Sequence, residues 1–226
     1  MIKIERKETE KAKLAVEALK VAKEKGSSYN TEEVNNALAE LFYNKCYICE
    51  NKDITSCQIE HLIPHRGNIE LKYDWNNLFW SCSHCNNIKS DKYEPILDCT
   101  KEDVDAFIAF RKMGYFGTEE RLEFVPLFEN EAVHNTIQLL YDAYYGTTPQ
   151  KKLEAKIIRK HLRDELHTFK DCVREYQEAE GEDKIDLLFL IKAKMKVNAP
   201  FAAFKRWLIK DNASRFPELF ELLQSI

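Results

Sequence analysis

Four cysteines fall into two short pairs, Cys46-Tyr47-Ile48-Cys49 and Cys82-Ser83-His84-Cys85. Two thiolates separated by two residues can grip one tetrahedral ion from a tight turn, and two such knuckles complete a four-sulfur shell. A closed shell has no open position, so an ion held by Cys46, Cys49, Cys82 and Cys85 is a structural zinc. A thioredoxin-type redox role would need one pair in a βαβ setting, which this sequence lacks. The 32 residues between the knuckles exceed an ordinary zinc-finger gap, so the staple houses something else. Cys57, Cys99 and Cys172 read as packed free thiols.

The enclosed segment begins with Ile59-Glu60-His61-Leu62-Ile63-Pro64, continues to Asn77-Leu78, and is followed by Asn86 directly after the second knuckle and by Lys89. Histidine, with an ordinary pKa near about 6.5, suits a general base. The carboxylate of Glu60 and the amide oxygen of Asn86 suit a hard cation such as Mg²⁺. His61 and His65 also stand four apart, as in a metalloprotease helix, but no glutamate lies between them and Pro64 opposes a helix there. His65 and Arg66 read as a solvated loop, with DNA contact as the competing use, and His84 as a surface residue of its knuckle.

In order and spacing this constellation resembles the HNH (ββα-metal) nuclease family. That motif runs acid, His, apolar, any residue, Pro, then Asn-Leu, then Cys-x-x-Cys followed by His or Asn and, three residues on, Lys. Here Asn86 lies nine residues after Asn77 and Lys89 twelve after it, the spacing of members with Asn in place of the last His. The resemblance covers roughly residues 46–92. It implies that His61 is the general base of phosphodiester hydrolysis and that Glu60 and Asn86 hold a catalytic Mg²⁺ or Mn²⁺. It further implies that Asn77 ties the loop and orients His61, and that Lys89 contacts phosphate or braces Glu60. The chemistry needs these parts: a nucleophilic water, a base, and a cation for the charge on the phosphate. Neighbouring strand residues point to opposite faces, so Glu60 and His61 can serve one site only if the chain distorts after Glu60. Glutamate stands where the family more often has aspartate, one methylene longer.

Around this site the chain must supply a scaffold. Its 226 residues are 44% apolar, enough for a real core in one or two domains. No stretch approaches a membrane span, and the charged start MIKIERKETEKAK lacks the apolar centre of a secretory signal, so a cytoplasmic protein is expected. The odd cysteine count argues against a disulfide framework. A net charge of −4 weighs against strong nucleic-acid binding by the chain alone, because such affinity comes mainly from cations neutralising phosphates.

Helical spacing predicts helices over 6–25, ended by Gly26, and from Asn30 or Thr31 through Phe42, with Glu33 as a capping-box partner. Short strands and loops are expected over 46–92. A helix is predicted over 101–113, capped by Thr100 with Asp103 at the third position, before Gly114 and Gly117 break the chain. Further helices are predicted over 131–145, ended by Gly146, over 149–179, over 185–195 and 201–209, and after Pro217. The expected architecture is mostly α, with a small zinc-stapled ββα-metal module (46–95) inserted between an N-terminal helical arm (1–45) and a C-terminal helical region (96–226).

The start MIKIERK, the form Cys57-Gln58-Ile59-Glu60-His61-Leu62-Ile63-Pro64, the chain length and the segment Pro200–Arg206 narrow the likeness. Together they resemble the HNH partner protein (the PtuB-like group) of Septu-type anti-phage systems, also found beside some retrons. That likeness implies a DNA-cutting effector working with an ABC/SMC-like ATPase. The apolar set Leu187, Leu188, Phe189, Leu190, Ile191, Phe201, Phe204, Trp207 and Leu208 reads mostly as core, with docking as the competing use. The basic run Lys151, Lys152, Lys156, Arg159, Lys160 and Arg163 reads as a solvated helix face, with a phosphate track as the competing use. Two other functions compete: a zinc-stapled adaptor with a weak site, suggested by Glu60, and a stand-alone restriction-type endonuclease. The latter needs a sequence-reading element, and no helix-turn-helix or additional DNA-binding finger is evident.

Overall fold

The computed structural model describes every residue except Asp53 and residues 115–118. The N-terminal arm is a pair of helices, α1 (Glu10–Lys25) and α2 (Glu32–Leu41). Thr9 caps α1 by accepting from the Ala12 amide at 3.1 Å, and Gly26 closes it at a left-handed φ of 62° that a side chain would strain. Thr31 likewise caps α2 through the Val34 amide. Ahead of α1, Met1, Ile2 and Ile4 are buried, and the Ile4 amide donates to the Cys99 carbonyl at 2.8 Å.

Two short antiparallel strands follow, β1 (Cys57–His61) and β2 (Leu78–Cys82), with His61 opposite Leu78 and Cys57 opposite Cys82. Between them lie α3 (Ile69–Tyr73), capped by Asn68, and a 3₁₀ turn at Trp75–Asn77. Helix α4 (Ser83–Lys89) runs directly out of β2, completing the expected ββα unit. Phe42 from α2's end, Tyr47 from the first knuckle and Phe79 from β2 meet at ring distances of 4.9–6.3 Å, which packs the arm onto the unit. Arg6 closes the same contact, its guanidinium 5.0 Å from the Phe79 ring and donating to the Leu78 carbonyl at 2.7 Å.

The helix predicted over 101–113 is corrected. Only a single turn forms, α5 (Val104–Phe107), and the chain then enters β3 (Ile108–Met113), paired antiparallel with β4 (Arg121–Pro126). Thr100 does not cap it: its hydroxyl donates to Asp98 at 2.7 Å. The reason lies in the partner strand, where Leu122 and Phe124 are buried and Arg121 and Glu123 are not. That period of two stands opposite Lys112 and Phe110, and tertiary pairing overrides the local helical reading. Gly114 does end β3, whereas Gly117 lies outside the described residues.

The remaining helices are α6 (Glu131–Tyr145), α7 (Pro149–Glu178), α8 (Gly181–Met195), α9 (Ala202–Lys210) and α10 (Pro217–Leu222). Thr148 and Pro149 start α7 in the usual order of cap then proline. One apolar core runs from Met1 through both knuckles into α6, the first half of α7 and α9. A second, smaller cluster joins Phe169, Val173, Tyr176, Ile191, Met195, Ile209 and Leu219. Among the described residues, no helix is long and apolar enough to cross a membrane.

Candidate zinc staple and active site

Cys46 and Cys49 lie in the turn after α2, where Tyr43 and Asn44 take positive φ, and Cys82 and Cys85 flank the start of α4. All four thiols are buried, unbridged, and have sulfurs within 4.8 Å of one another, with Cys49 and Cys82 at 4.0 Å. Sulfurs about 2.3 Å from one tetrahedral zinc sit about 3.8 Å apart, so the set fits that ion and no hard cation. Burial works against ionising Cys46, yet hydrogen bonds from Cys49, Cys82 and Cys85 hold it well below the ordinary thiol range, while the same contacts and burial push Cys49 and Cys85 well above it. Cys99 and Cys172 are buried free thiols and Cys57 a half-buried one.

The staple anchors the end of β2 and the start of α4, and residues of β1 and α4 border a cavity of about 550 Å³. Glu60 and His61, adjacent in sequence, both line it, with Asn86 from α4. The apparent conflict with strand alternation disappears because His61 is the last residue of β1 and the chain bends at Leu62. Oxygen donors from Glu60 and Asn86 facing one open cavity fit a hard cation with room left for water.

His61 is anchored at one nitrogen. Its Nε2 lies 3.0 Å from the Lys72 carbonyl, which can only accept, so Nε2 carries the proton and Nδ1 keeps its lone pair. Burial moves the His61 pKa below its ordinary value, favouring the neutral ring. The ring is held between Tyr29 and His65, each with its centroid 4.8 Å away and steeply inclined, at 84° and 62°.

Asn77 makes no side-chain hydrogen bond to His61 itself. Its side chain accepts from the Ile63 amide at 2.8 Å and donates to the Ile63 and Leu71 carbonyls at 2.9 and 3.0 Å, tying both sides of the loop behind His61. Lys89 is fully buried. It donates to Glu60 Oε1 at 2.7 Å and to the His61 carbonyl at 2.8 Å, so it braces the acid instead of reaching into the cavity. Burial drives the Glu60 carboxyl up to about 7 even against the opposing pull of Lys89.

One reading is reversed: His84 is buried, not a surface residue. Its Nδ1 meets Glu154 of α7 and its Nε2 the Ala143 carbonyl of α6, both at 2.7 Å. The second knuckle therefore also fastens the module to the C-terminal helices. Nothing within 46–92 signals this, because both partners lie more than 50 residues away. Tyr29 was missed for the same reason: it comes from the α1–α2 loop, and only packing brings it to His61. His65 and Arg66 both line the cavity, and the exposed Arg66 is paired with Glu94 at 2.9 Å.

The basic run on α7 is partly used within the chain. Lys151 pairs with Glu154, Arg163 with Glu120, and Arg159 donates to the Tyr144 carbonyl, leaving Lys152, Lys156 and Lys160 exposed. Of the C-terminal apolar set, Ile191, Phe201 and Phe204 are core, Leu187, Leu188, Trp207 and Leu208 are half-buried, and Phe189 and Leu190 are 68% and 44% exposed.

Comparison with known proteins agrees with this geometry. Residues 46–92 match the family model of the HNH endonucleases. The chain is 37% identical over 84 residues to the Septu protein PtuB of Bacillus mycoides (strain KBAB4), covering 30% of this chain and 28% of that protein. It is 33% identical over 97 residues to the Septu protein PtuB of Bacillus thuringiensis, covering 40% and 37%. The aligned part thus spans about a third of the length of these relatives. No solved structure matches the chain. The staple, the ββα unit and the matched residues together make residues 46–92 an HNH endonuclease domain, of the class that hydrolyses phosphodiester bonds.

Proposed function

We propose that this protein is a metal-dependent endonuclease that hydrolyses DNA, acting as the effector of an anti-phage complex with an ABC/SMC-like ATPase in the cytoplasm. The observation that carries the nuclease reading is the placement of His61: one nitrogen donates to a backbone carbonyl, burial lowers the pKa of the ring, and the ring borders a cavity shared with Glu60 and Asn86. Glu60 and Asn86 would hold Mg²⁺ or Mn²⁺, which when bound neutralises charge developing on the phosphate and the leaving oxygen.

The chain's own residues do the rest. His61 Nδ1 accepts a proton from the attacking water, and the bond from Nε2 to the Lys72 carbonyl stabilises the imidazolium so formed. Asn77 keeps the 62–77 loop closed, which keeps Lys72 in place. Lys89 neutralises Glu60 until a cation arrives and ties it to the His61 backbone. Buried behind Glu60, it stays out of reach of substrate.

The defence role rests on the relatives' name, Septu protein PtuB, and on two features of this chain. Its net charge of −4 suits an enzyme that receives nucleic acid from a partner. Helix α8 also exposes Ile185, Phe189 and Leu190, 55%, 68% and 44% accessible, an apolar face suited to docking.

The test is cleavage of duplex and single-stranded DNA by zinc-loaded protein with added Mg²⁺ or Mn²⁺. His61→Ala should lower the rate by about 10²–10⁴ with zinc content unchanged. Cleavage by His61→Ala at the wild-type rate would overturn the mechanism.

A further inference from the structure

Away from the nuclease cavity, and sharing none of its lining residues, a cavity of about 520 Å³ opens where the two apolar clusters meet. Its walls come from β3, α7, α9 and the chain after α9. That volume lies within the roughly 300–1,000 Å³ of small-molecule sites, which favour such seams.

The lining has two parts. Arg111, Lys112, Lys170, Arg174 and Arg215 contribute five cations, against one carboxylate, Asp211, among the described lining residues. Arg111 is matched to Asp211 at 2.8 and 2.7 Å, Lys112 lies 3.5 Å from Glu120, and Arg174 is 2.9 Å from Asp171. Even counting these acids, positive charge is in excess, in a chain whose net charge is −4. Burial together with the charge of Lys112 holds Lys170 down to about 8, a sign of crowded cations. The second part is apolar: Val173, Leu208 and the ring of Phe216.

We propose that this cavity binds a nucleoside phosphate, its phosphates on the cations and its base on the apolar wall beside Phe216. An inorganic anion would use the cations and leave the apolar wall wet. The cations of α7 continue beyond the cavity through Arg163, Lys160, Lys156 and Lys152, so a nucleic-acid strand is the competing occupant, but a strand lying along that row would leave the apolar wall beside Phe216 unused. A mononucleotide uses both parts, because a flat ring stacks on aromatic surface while its phosphates take charge-assisted hydrogen bonds.

The experiment is calorimetric titration of the full, zinc-loaded chain, without Mg²⁺, using ADP, inorganic triphosphate and a single-stranded oligonucleotide. ADP should bind one per chain. Arg174→Glu with Arg215→Glu, both exposed and so compatible with folding, should weaken ADP about tenfold or more, the scale of one lost charge-assisted bond. Phe216→Ala should weaken ADP and spare triphosphate, while His61→Ala should leave ADP binding unchanged. Zinc content and circular dichroism check each variant's fold. The proposal is overturned if millimolar ADP gives no binding, if the double charge reversal binds ADP as well as wild type, or if Phe216→Ala does. Binding of the oligonucleotide but not ADP overturns it as well.

Discussion

Glu50 follows directly on Cys49 of the four-cysteine cluster and is buried, 1% exposed. Its Oε1 lies 3.2 Å from Lys45 Nζ, and its Oε2 accepts from the Ala203 amide at 3.0 Å and lies 3.5 Å from the Met1 amine. Lys45 in turn donates to the Val197 and Ala199 carbonyls at 2.7 and 3.2 Å. This network stitches the first knuckle to the segment leading into α9. Burial alone would push the Glu50 carboxyl up, but the Met1 amine, Lys45 and the Ala203 amide outweigh it and hold it at about 2, against an ordinary 4.5. At about 1.4 kcal/mol per pH unit, the difference corresponds to about 3 kcal/mol of stability.

Because the folded value is depressed, that stability is fully present above pH 4.5 and is lost as pH falls toward 2. Glu50→Gln keeps the shape and removes the charge, leaving Lys45 with carbonyl partners alone. It should therefore lose about 3 kcal/mol, the low end of the cost of breaking a buried ion pair. For a chain of this length the loss corresponds to a melting point lower by about 6–12 °C. Guanidinium unfolding of zinc-loaded wild type and variant at about pH 6 should show this gap, shrinking as pH falls below 4.5. A gap below about 0.5 kcal/mol at pH 6 would refute the reasoning.

Cys82→Ser should release zinc and unfold the 46–92 unit, because structural zinc contributes roughly 10 kcal/mol or more in small metal domains; metal analysis reading one zinc per chain in the variant would contradict this. Tyr29→Ala should lower kcat with KM nearly unchanged, and Tyr29→Phe should restore most of it, since the ring and not the hydroxyl packs on His61; equal losses in both variants would point elsewhere. Ile185→Glu with Phe189→Glu should abolish co-elution with the ATPase on size-exclusion chromatography while leaving zinc content intact; an unchanged complex would move the docking surface off α8.

Much of the site was legible because its signals are local. Cys-x-x-Cys pairs, the Glu60-His61 step and the spacing of Asn77, Asn86 and Lys89 are covalent facts of the chain, and the metal chemistry of their residue types does not depend on the fold. Some helix ends were legible too, since Gly26 and Gly146 act within one turn of themselves, whereas the start predicted at residue 6 falls at Glu10 behind the Thr9 cap. The β3–β4 hairpin was not, because Phe107–Phe110 fits either period and only pairing with Leu122 and Phe124 decides between them. Tertiary structure alone decided which nitrogen of His61 is free, through the Lys72 carbonyl, and that Lys89 braces Glu60 instead of facing substrate. It likewise brought Tyr29 to the His61 ring and buried His84 between Ala143 and Glu154. These are contacts between groups distant in the chain or borne by the backbone, and residue types carry no record of them until the core closes around the staple.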